Sequence, residues 1–182
     1  MTLSSAEPDR DVTIRRAAPE DANLLTEFAE RTFRDTFERD NRPEDMSQYV
    51  ADTFGPDRQR AELADSRGIV LLMESATRVV GYAQLFCGVP PAEVVPVPAM
   101  ELQRFYVARE YHGHGLAQLL MTEALTTALE RNAVTLWLGV WERNARAISF
   151  YRKVGFVDVG QQTFVLGDDK QIDRIMCRVA RA

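Results

Sequence analysis

The strongest constraint on the fold is a glycine-rich turn between a strand-like run and a helix-like run. LQRFYV precedes the stretch EYHGHGLA, and LAQLLMTEALTTALER overlaps and follows it. Glycine tolerates positive φ and lets a ligand approach the backbone closely. The start of a helix presents unpaired N–H groups and the positive end of the helix dipole. The turn therefore predicts either a cradle for a phosphate group or simply a tight strand-to-helix turn.

Other chemistry that such a turn could serve is not indicated. The chain has neither a GxxxxGK[ST] sequence nor a complete GxGxxG sequence, so a P-loop or a dinucleotide fold is not expected. His112 and His114 form a His-x-His pair. No cluster of Cys, Asp or Glu offers a clear third ligand, so we expect no metal.

Length and composition narrow the class of protein. The 182 residues suffice for one domain with a core, and a net charge of −5 argues against a nucleic-acid partner. The N-terminal MTLSSAEPDRD lacks the apolar segment of a secretory signal, and no apolar run approaches the ~20 residues of a membrane helix. Cys87 and Cys177 are expected to be reduced, buried thiols. A cytoplasmic enzyme or binding protein fits best.

The order of elements predicts an α/β domain with mixed strand pairing, residues 12–182, after a flexible tail, residues 1–11. Pro19 is expected to open a helix, and further helices are expected at about 43–54, in DRQRAELAD, from the glycine turn to about 131, and in NARAISFYRKV. Strands are expected in VTIRRA, IVLLMES, RVVGYAQLF, MELQRFYV and TLWLGVW, and at about 156–166 and 171–179. Residues 88–99 hold four of the eight prolines and predict a loop.

The strand before the turn carries an irregularity. Leu102, Phe105 and Val107 look like its core-facing positions, but the first step is three residues where a regular strand gives two. One extra residue near Gln103-Arg104 would restore the phase, as in a β-bulge, and would leave backbone N–H groups unpaired. In the alternative, Arg104 faces solvent and Tyr106 is half-buried.

Two motifs together carry a family resemblance. Asn144, Ala147, Tyr151, Lys153, Gly155 and Phe156 match NxxAxxxYxKxGF in full, and Gly115 and Ala117 match [Q/R]xxGx[G/A], with His112 at the Gln or Arg position. The chain thus resembles the GNAT superfamily of acetyl-CoA-dependent N-acetyltransferases. RTFRDTFERDNRPEDMSQYV, MELQRFYV, LWLGVWERN and FVLGDDKQIDRIM further resemble the PaiA-type polyamine N-acetyltransferases. The resemblance implies a central, mixed, mostly antiparallel seven-stranded sheet that splays between strands 4 and 5, with helices on both faces.

The resemblance also implies how acetyl-CoA would bind. Backbone N–H groups around Phe105, Tyr106 and Val107 would hold the acetyl carbonyl and pantetheine. The pyrophosphate would lie on the turn residues His112, Gly113, His114, Gly115, Leu116, Ala117 and Gln118. Asn144 would bond the pantetheine arm, or cap the next helix, or both. Lys153 would reach the nucleotide end or simply be exposed.

The chemistry implied is direct attack of a primary amine on the thioester. A free alkylammonium has a pKa of ~10, so a base must take a proton; Glu101 is the candidate, or else a strand-end carboxylate that faces solvent. The Val107 N–H would stabilise the oxyanion. Tyr151 stands at the family's general-acid position, and its alternative is a core tyrosine.

The acceptor implied is a small, polyamine-like amine, with no nucleic acid and no membrane as partner; a homodimer is compatible with the resemblance. Acidic and aromatic side chains would receive the cation, and the candidates are Phe33, Asp35, Phe37, Tyr49 and Glu142. One alternative is an acetyltransferase for a peptide N-terminus, an amino acid or an amine drug. The other is a non-catalytic acyl-CoA-binding module.

Overall fold

The computed structural model describes residues 12–76 and 78–180, so the predicted tail of residues 1–11 lies outside the described part. Seven strands form one sheet in the order β1-β2-β3-β4-β5-β7-β6. The strands are β1 Val12–Arg16, β2 Gly68–Ser75, β3 Arg78–Phe86, β4 Ala99–Val107, β5 Thr135–Trp141, β6 Val157–Leu166 and β7 Asp169–Val179.

Strand pairing is antiparallel except between β4 and β5. These two parallel strands pair over three positions only, from Ala99 opposite Thr135 to Glu101 opposite Trp137. Beyond Glu101 the strands separate, because β4 continues along β3 while β5 continues along β7. The predicted mixed sheet and its splay between the fourth and fifth strands are confirmed.

The predicted β-bulge in β4 is confirmed. Gln84 of β3 pairs with Arg104 and the next residue, Leu85, pairs with Leu102, which leaves Gln103 as the extra residue. Leu102 lies before the bulge, and Phe105 and Val107 lie after it. All three contact the same hydrophobic cluster, so the bulge keeps the apolar side chains on one face.

In the described part of the chain, five α-helices cover the sheet: α1 Ala22–Phe37, α2 Pro43–Thr53, α3 Pro56–Ala64, α4 Leu116–Glu130 and α5 Ala145–Lys153. The side chains of β2, which point alternately to the two faces of the sheet, show that the helices lie on both faces. Leu71 and Met73 belong to the core cluster that contains α4, whereas Val70 and Leu72 belong to the cluster that contains α1 and α2. Pro19 begins a short 3₁₀ turn, Pro19–Asp21, and α1 itself starts at Ala22.

Two further expectations concern the cysteines and membrane-spanning helices. Both cysteines are free, but only Cys177 is buried; Cys87 is half-buried, because it lies just past the end of β3. Within residues 12–76 and 78–180, no helix is both long enough and apolar enough to cross a membrane.

Candidate active site

A cleft of about 470 Å³ opens where β4 and β5 separate. Its lining includes most of the predicted site residues, which come from four parts of the chain. They are Phe33, Phe37 and Tyr49; Phe105, Tyr106 and Val107; residues 112–118 except His114; and Asn144, Tyr151 and Lys153. The splay thus brings together residues that are more than 100 positions apart in the sequence.

Four predicted site residues lie outside the lining of this cleft. Asp35 and His114 are exposed on α1 and on the turn, and Glu142 lines a separate shallow cleft beside α5. Glu101 lies where β4 still pairs with β5, before the strands part. Burial raises the pKa of Glu101, and a hydrogen bond from Gln103 partly opposes that rise.

The geometry of the glycine turn is compatible with both predicted alternatives, a tight strand-to-helix turn and a cradle for a phosphate group. Gly113 and Gly115 have φ of 85° and 81°, so the turn requires positive φ. A Cβ on either residue would have no atom within 4 Å, which leaves the outer surface of the turn open to a ligand. In the part of the chain that the structure describes, no backbone or side-chain oxygen accepts from the N–H groups of residues 113–117. These open donors at the start of α4 fit a pyrophosphate.

The end of β4 turns backbone donors toward the cleft. The Ala108 N–H donates to the Val80 carbonyl on the β3 side at 2.8 Å. Since N–H groups alternate sides along an antiparallel strand, the Val107 N–H points to the opposite side, from which β5 has departed. The His112 Nε2–H donates to the Val107 carbonyl at 2.8 Å.

Arg146 supplies a cationic side chain that the sequence analysis missed. Its guanidinium lies against the His112 ring, with Nη1 2.5 Å from Nδ1 and 3.1 Å from Nε2. Arg146 also lines the cleft. The turn has His112 where the family has Gln or Arg, and folding brings this arginine from α5 to the same place. Nothing in the local sequence of the turn could have shown it.

α5 places three predicted residues along the cleft. The Asn144 side chain accepts from the Ala147 N–H at 3.2 Å and so caps the helix, and Lys153 is exposed near its end. Tyr151 is 8% exposed and packs against Phe105 and Phe156. Burial raises the pKa of the Tyr151 phenol, so its hydroxyl keeps its proton at neutral pH.

Arg104 is paired within the protein, so the alternative in which it faces solvent is wrong. Its Nη1 donates to Glu62 and to Gln84, each at 2.7 Å, and its guanidinium lies 5.2 Å from the centre of the Phe54 ring. Burial alone would raise the pKa of Glu62, but the hydrogen bonds and charge of Arg104 hold it below its usual value. This pair joins β4 to α3.

Asp173 of β7 is the carboxylate that the cleft contains, and the sequence analysis missed it. It is 8% exposed, and burial raises its pKa to about 6. It lies beside Gly139, where a Cβ would come within 3.0 Å of Asp173 Oδ2. Its signal in the sequence was weak but present: Ile175 and Cys177, two and four positions later on the same face of β7, are apolar and buried.

The comparisons with known proteins agree with this geometry. The model of the acetyltransferase (GNAT) family matches residues 25–156. An uncharacterized N-acetyltransferase of Lactobacillus delbrueckii subsp. lactis is 32% identical over 165 residues, which is 91% of this chain and 95% of that one. An uncharacterized N-acetyltransferase of Mycobacterium bovis is 35% identical over 158 residues, 87% of this chain and 97% of that one.

Among solved structures, the PaiA N-acetyltransferase of Thermoplasma acidophilum in complex with coenzyme A superposes with a TM-score of 0.75. It is 20% identical, and the match covers 93% of this chain and 99% of that one. The family model and the two relatives place this chain among the N-acetyltransferases. This chain belongs to the GNAT family, and it is an N-acetyltransferase that uses acetyl-CoA.

Proposed function

We propose that this enzyme transfers the acetyl group of acetyl-CoA to the primary amine of a small cationic acceptor. One observation carries the proposal: the cleft has the Tyr151 hydroxyl on the α4 face of the sheet and the Asp173 carboxylate beside Gly139 on the other. A proton donor and a proton acceptor on the two sides of a splayed sheet suit transfer between two substrates that enter from opposite faces.

Acetyl-CoA would be held by backbone donors and two cations. The N–H groups of residues 113–117 would bind its pyrophosphate. Arg146 would add the positive charge that His112 lacks, and Lys153 would reach the nucleotide end. Asn144, which already caps α5 through its Oδ1, would offer its amide N–H groups to the pantetheine arm. The bound donor supplies an acetyl group activated as a thioester.

The chain's own residues would then move protons and stabilise charge. The Asp173 carboxylate accepts one proton from the acceptor ammonium, and the free amine forms the new C–N bond as the C–S bond breaks. The Val107 N–H stabilises the negative charge on the carbonyl oxygen. Tyr151 donates its proton to the departing sulfur. The second proton lost by nitrogen as the amide forms passes to the Tyr151 phenolate, and Asp173 releases the first proton to solvent, so that both groups are restored.

Asp173 and Glu101 are rival candidates for the base. Asp173 lines the cleft and has a pKa of about 6, which suits a base at neutral pH. Glu101, the candidate from the sequence, also has a raised pKa but lies outside the cleft lining. Glu101 is linked to the cleft lining through Gln103, whose Nε2 donates to its carboxylate at 3.3 Å.

The test is an acetyl-CoA consumption assay with small primary amines, followed by pH–rate profiles of Asp173→Asn and Glu101→Gln. We expect wild-type kcat/KM, which reports the free enzyme, to show an acidic limb with an apparent pKa of about 6, because a protonated Asp173 accepts no proton. Asp173→Asn should remove this limb and lower kcat by about 10²-fold or more. If Glu101→Gln removes the limb and Asp173→Asn leaves it, the base is Glu101.

The polyamine acceptor named from the sequence resemblance is one form of this proposal. A peptide N-terminus, an amino acid or an amine drug would use the same proton transfers. The polyamine acceptor is supported by the resemblance of this sequence to the PaiA-type polyamine N-acetyltransferases. The charges and aromatic rings that line the cleft bear on the choice between these acceptors.

A further inference from the structure

We infer that the acceptor is a primary amine with one positive charge and an aromatic or similarly flat apolar body, whose ammonium binds Asp173. The inference rests on the proposed function and narrows it, because it separates a monoamine of this kind from a polyamine. Three features of the cleft carry it: an unpaired buried carboxylate, the sign of the remaining charges, and an aromatic wall.

The first feature is the isolation of the Asp173 carboxylate. It is more than nine-tenths buried. In residues 12–76 and 78–180, no side chain or backbone group donates a hydrogen bond to it, and no Lys or Arg forms an ion pair with it. The side chain is largely removed from water, which disfavours its charge, and its oxygens are not among the fully enclosed unpaired atoms, so they stay open to a ligand in the cleft. A ligand ammonium would give it the partner that the described residues withhold.

The second feature is that the cleft offers one acidic group and several basic ones. Among the described lining residues, Asp173 is the sole Asp or Glu, whereas Arg104, Arg146 and Lys153 are positive. Arg104 is already neutralised by Glu62 at 2.7 Å. An acceptor with one ammonium would pair with Asp173. A second or third ammonium, as in a polyamine, would leave water without a carboxylate partner among the described lining residues.

The third feature is a continuous aromatic wall on the acceptor side. The Phe33 ring stacks on Tyr49 with centroids 4.8 Å apart and contacts Phe37 at 4.7 Å. Phe37 in turn meets Trp141 edge-on at 6.0 Å, and Tyr49 meets Phe164 at 5.5 Å. All five rings line the cleft. Such a wall buries a flat apolar body by stacking and edge contacts and attracts an ammonium through its π faces.

Arg104 does not favour an acceptor that carries its own carboxylate, such as an amino acid. Both of its terminal nitrogens contact Glu62, at 2.7 and 3.4 Å, and one also donates to Gln84. Its remaining face lies over Phe54. A guanidinium committed in this way to a neighbouring carboxylate has little left to offer a second one.

The first experiment measures kcat/KM of the wild-type enzyme for four amines at saturating acetyl-CoA. Hexylamine and hexamethylenediamine have the same chain length and differ in the second charge. Phenylethylamine and hexylamine share one charge and differ in the ring. Spermidine is the fourth. We expect hexylamine to exceed hexamethylenediamine at least tenfold, and phenylethylamine to exceed hexylamine at least threefold.

The second experiment compares Asp173→Asn with Asp168→Asn, a control at an exposed carboxylate of the β6–β7 turn outside the cleft. Asp173→Asn should raise KM for phenylethylamine at least tenfold, since a charge-assisted hydrogen bond is lost. The control should stay within twofold of wild type. The preference between hexylamine and hexamethylenediamine should shrink in Asp173→Asn and persist in the control.

The outcomes separate the inference from the proposed function. Acetylation of spermidine or hexamethylenediamine as fast as hexylamine overturns the inference and leaves the acetyltransferase for small amines standing. A preference for amino acids or peptide N-termini over phenylethylamine also overturns it. If none of the four amines is acetylated while coenzyme A binds, the proposed small-amine function fails, and the inference fails with it.

Discussion

Asp173 and Tyr151 show how burial shifts the pKa of two cleft residues. Each is 8% exposed. In both, removal from water disfavours the charged form, so the pKa of Asp173 rises to about 6 and the pKa of Tyr151 rises above its ordinary value. At neutral pH the carboxylate is therefore ionised but basic, and the phenol keeps a proton to donate.

For Tyr151 we expect Tyr151→Phe to lower kcat by about 10²-fold, because general-acid catalysis contributes about that much or more. The dissociation constant of coenzyme A should change less than about threefold, since the ring and its packing against Phe105 and Phe156 remain. Steady-state kinetics and calorimetric titration measure the two quantities. An unchanged kcat would remove Tyr151 from the proton transfer.

For Asp173 we expect Asp173→Asn to stabilise the ligand-free fold above pH 6. The folded-state pKa lies above the ordinary value of 3.8, so the unfolded chain binds fewer protons between these values, and the stability of the wild type falls as pH rises through them. At pH 7.5 the variant should gain about 1 kcal/mol, or about 2–4 °C in melting temperature. Below pH 4 the gain should vanish. A variant that melts lower than the wild type at pH 7.5 would contradict the idea that this carboxylate lacks a partner.

At the scale of elements, two irregularities in β4 and the turn after it make the donor side of the site. The bulge at Gln103 restores the face on which Phe105 and Val107 pack. The strand then ends in a turn whose glycines have positive φ and expose the first N–H groups of α4. Strand, bulge, turn and helix are consecutive in the sequence, which explains why this half could be predicted locally.

The turn gives a prediction about the cofactor. Gly115→Val should weaken coenzyme A binding at least tenfold, because φ of 81° is strained for a β-branched residue and the new side chain would occupy the open surface of the turn. Gly55→Ala is a suitable control, since Gly55 has φ of −64° and its Cβ would meet only Ala51 O at 3.9 Å. Titration of both variants with coenzyme A, after thermal melts confirm folding, measures the effect. Equal dissociation constants would refute the cradle.

At the scale of the whole molecule, the acceptor side is closed by contacts between distant parts of the chain. The Asp45 side chain of α2 accepts from the Asp168 N–H at 3.0 Å, across 123 positions of sequence. Gly167 lies against Asp45, where a Cβ would fall 2.7 Å from the Asp45 Cα. This junction holds α2, with Tyr49, beside the β6–β7 hairpin that carries Phe164 and Asp173.

We expect Gly167→Ala to break this junction. Its φ of 60° costs about 1–2 kcal/mol for alanine, and the overlap with the Asp45 backbone adds to that. The melting temperature should fall by about 4 °C or more, while Gly55→Ala should stay close to the wild type. Thermal melts of both variants measure the change. A Gly167→Ala protein as stable as the wild type would show that the α2 junction yields without cost.

The limits of sequence reasoning follow the same division of the molecule. The bulge near Gln103 and the positions of the strands along the chain were predicted correctly from periodicity. The splay of the sheet and the helices on both of its faces followed from the family motifs. Asp173 was missed because β7 is remote from the motifs, and Arg146 was missed because it stands at an unspecified position of the α5 motif and meets His112 only in the folded chain. Asp35 and Glu142 were chosen as acidic residues near the predicted entrance, yet the structure places both outside the cleft.

The sequence by itself determined the local geometry of the donor side, because bulge, turn and helix start depend on residues that are neighbours in the chain. It also determined the family, through motifs in α4 and α5. Only the tertiary structure decided the acceptor side. The charge that an acceptor meets there depends on which side chains of α1, α2, β5, β6 and β7 converge, and on how deeply their packing removes Asp173 from water.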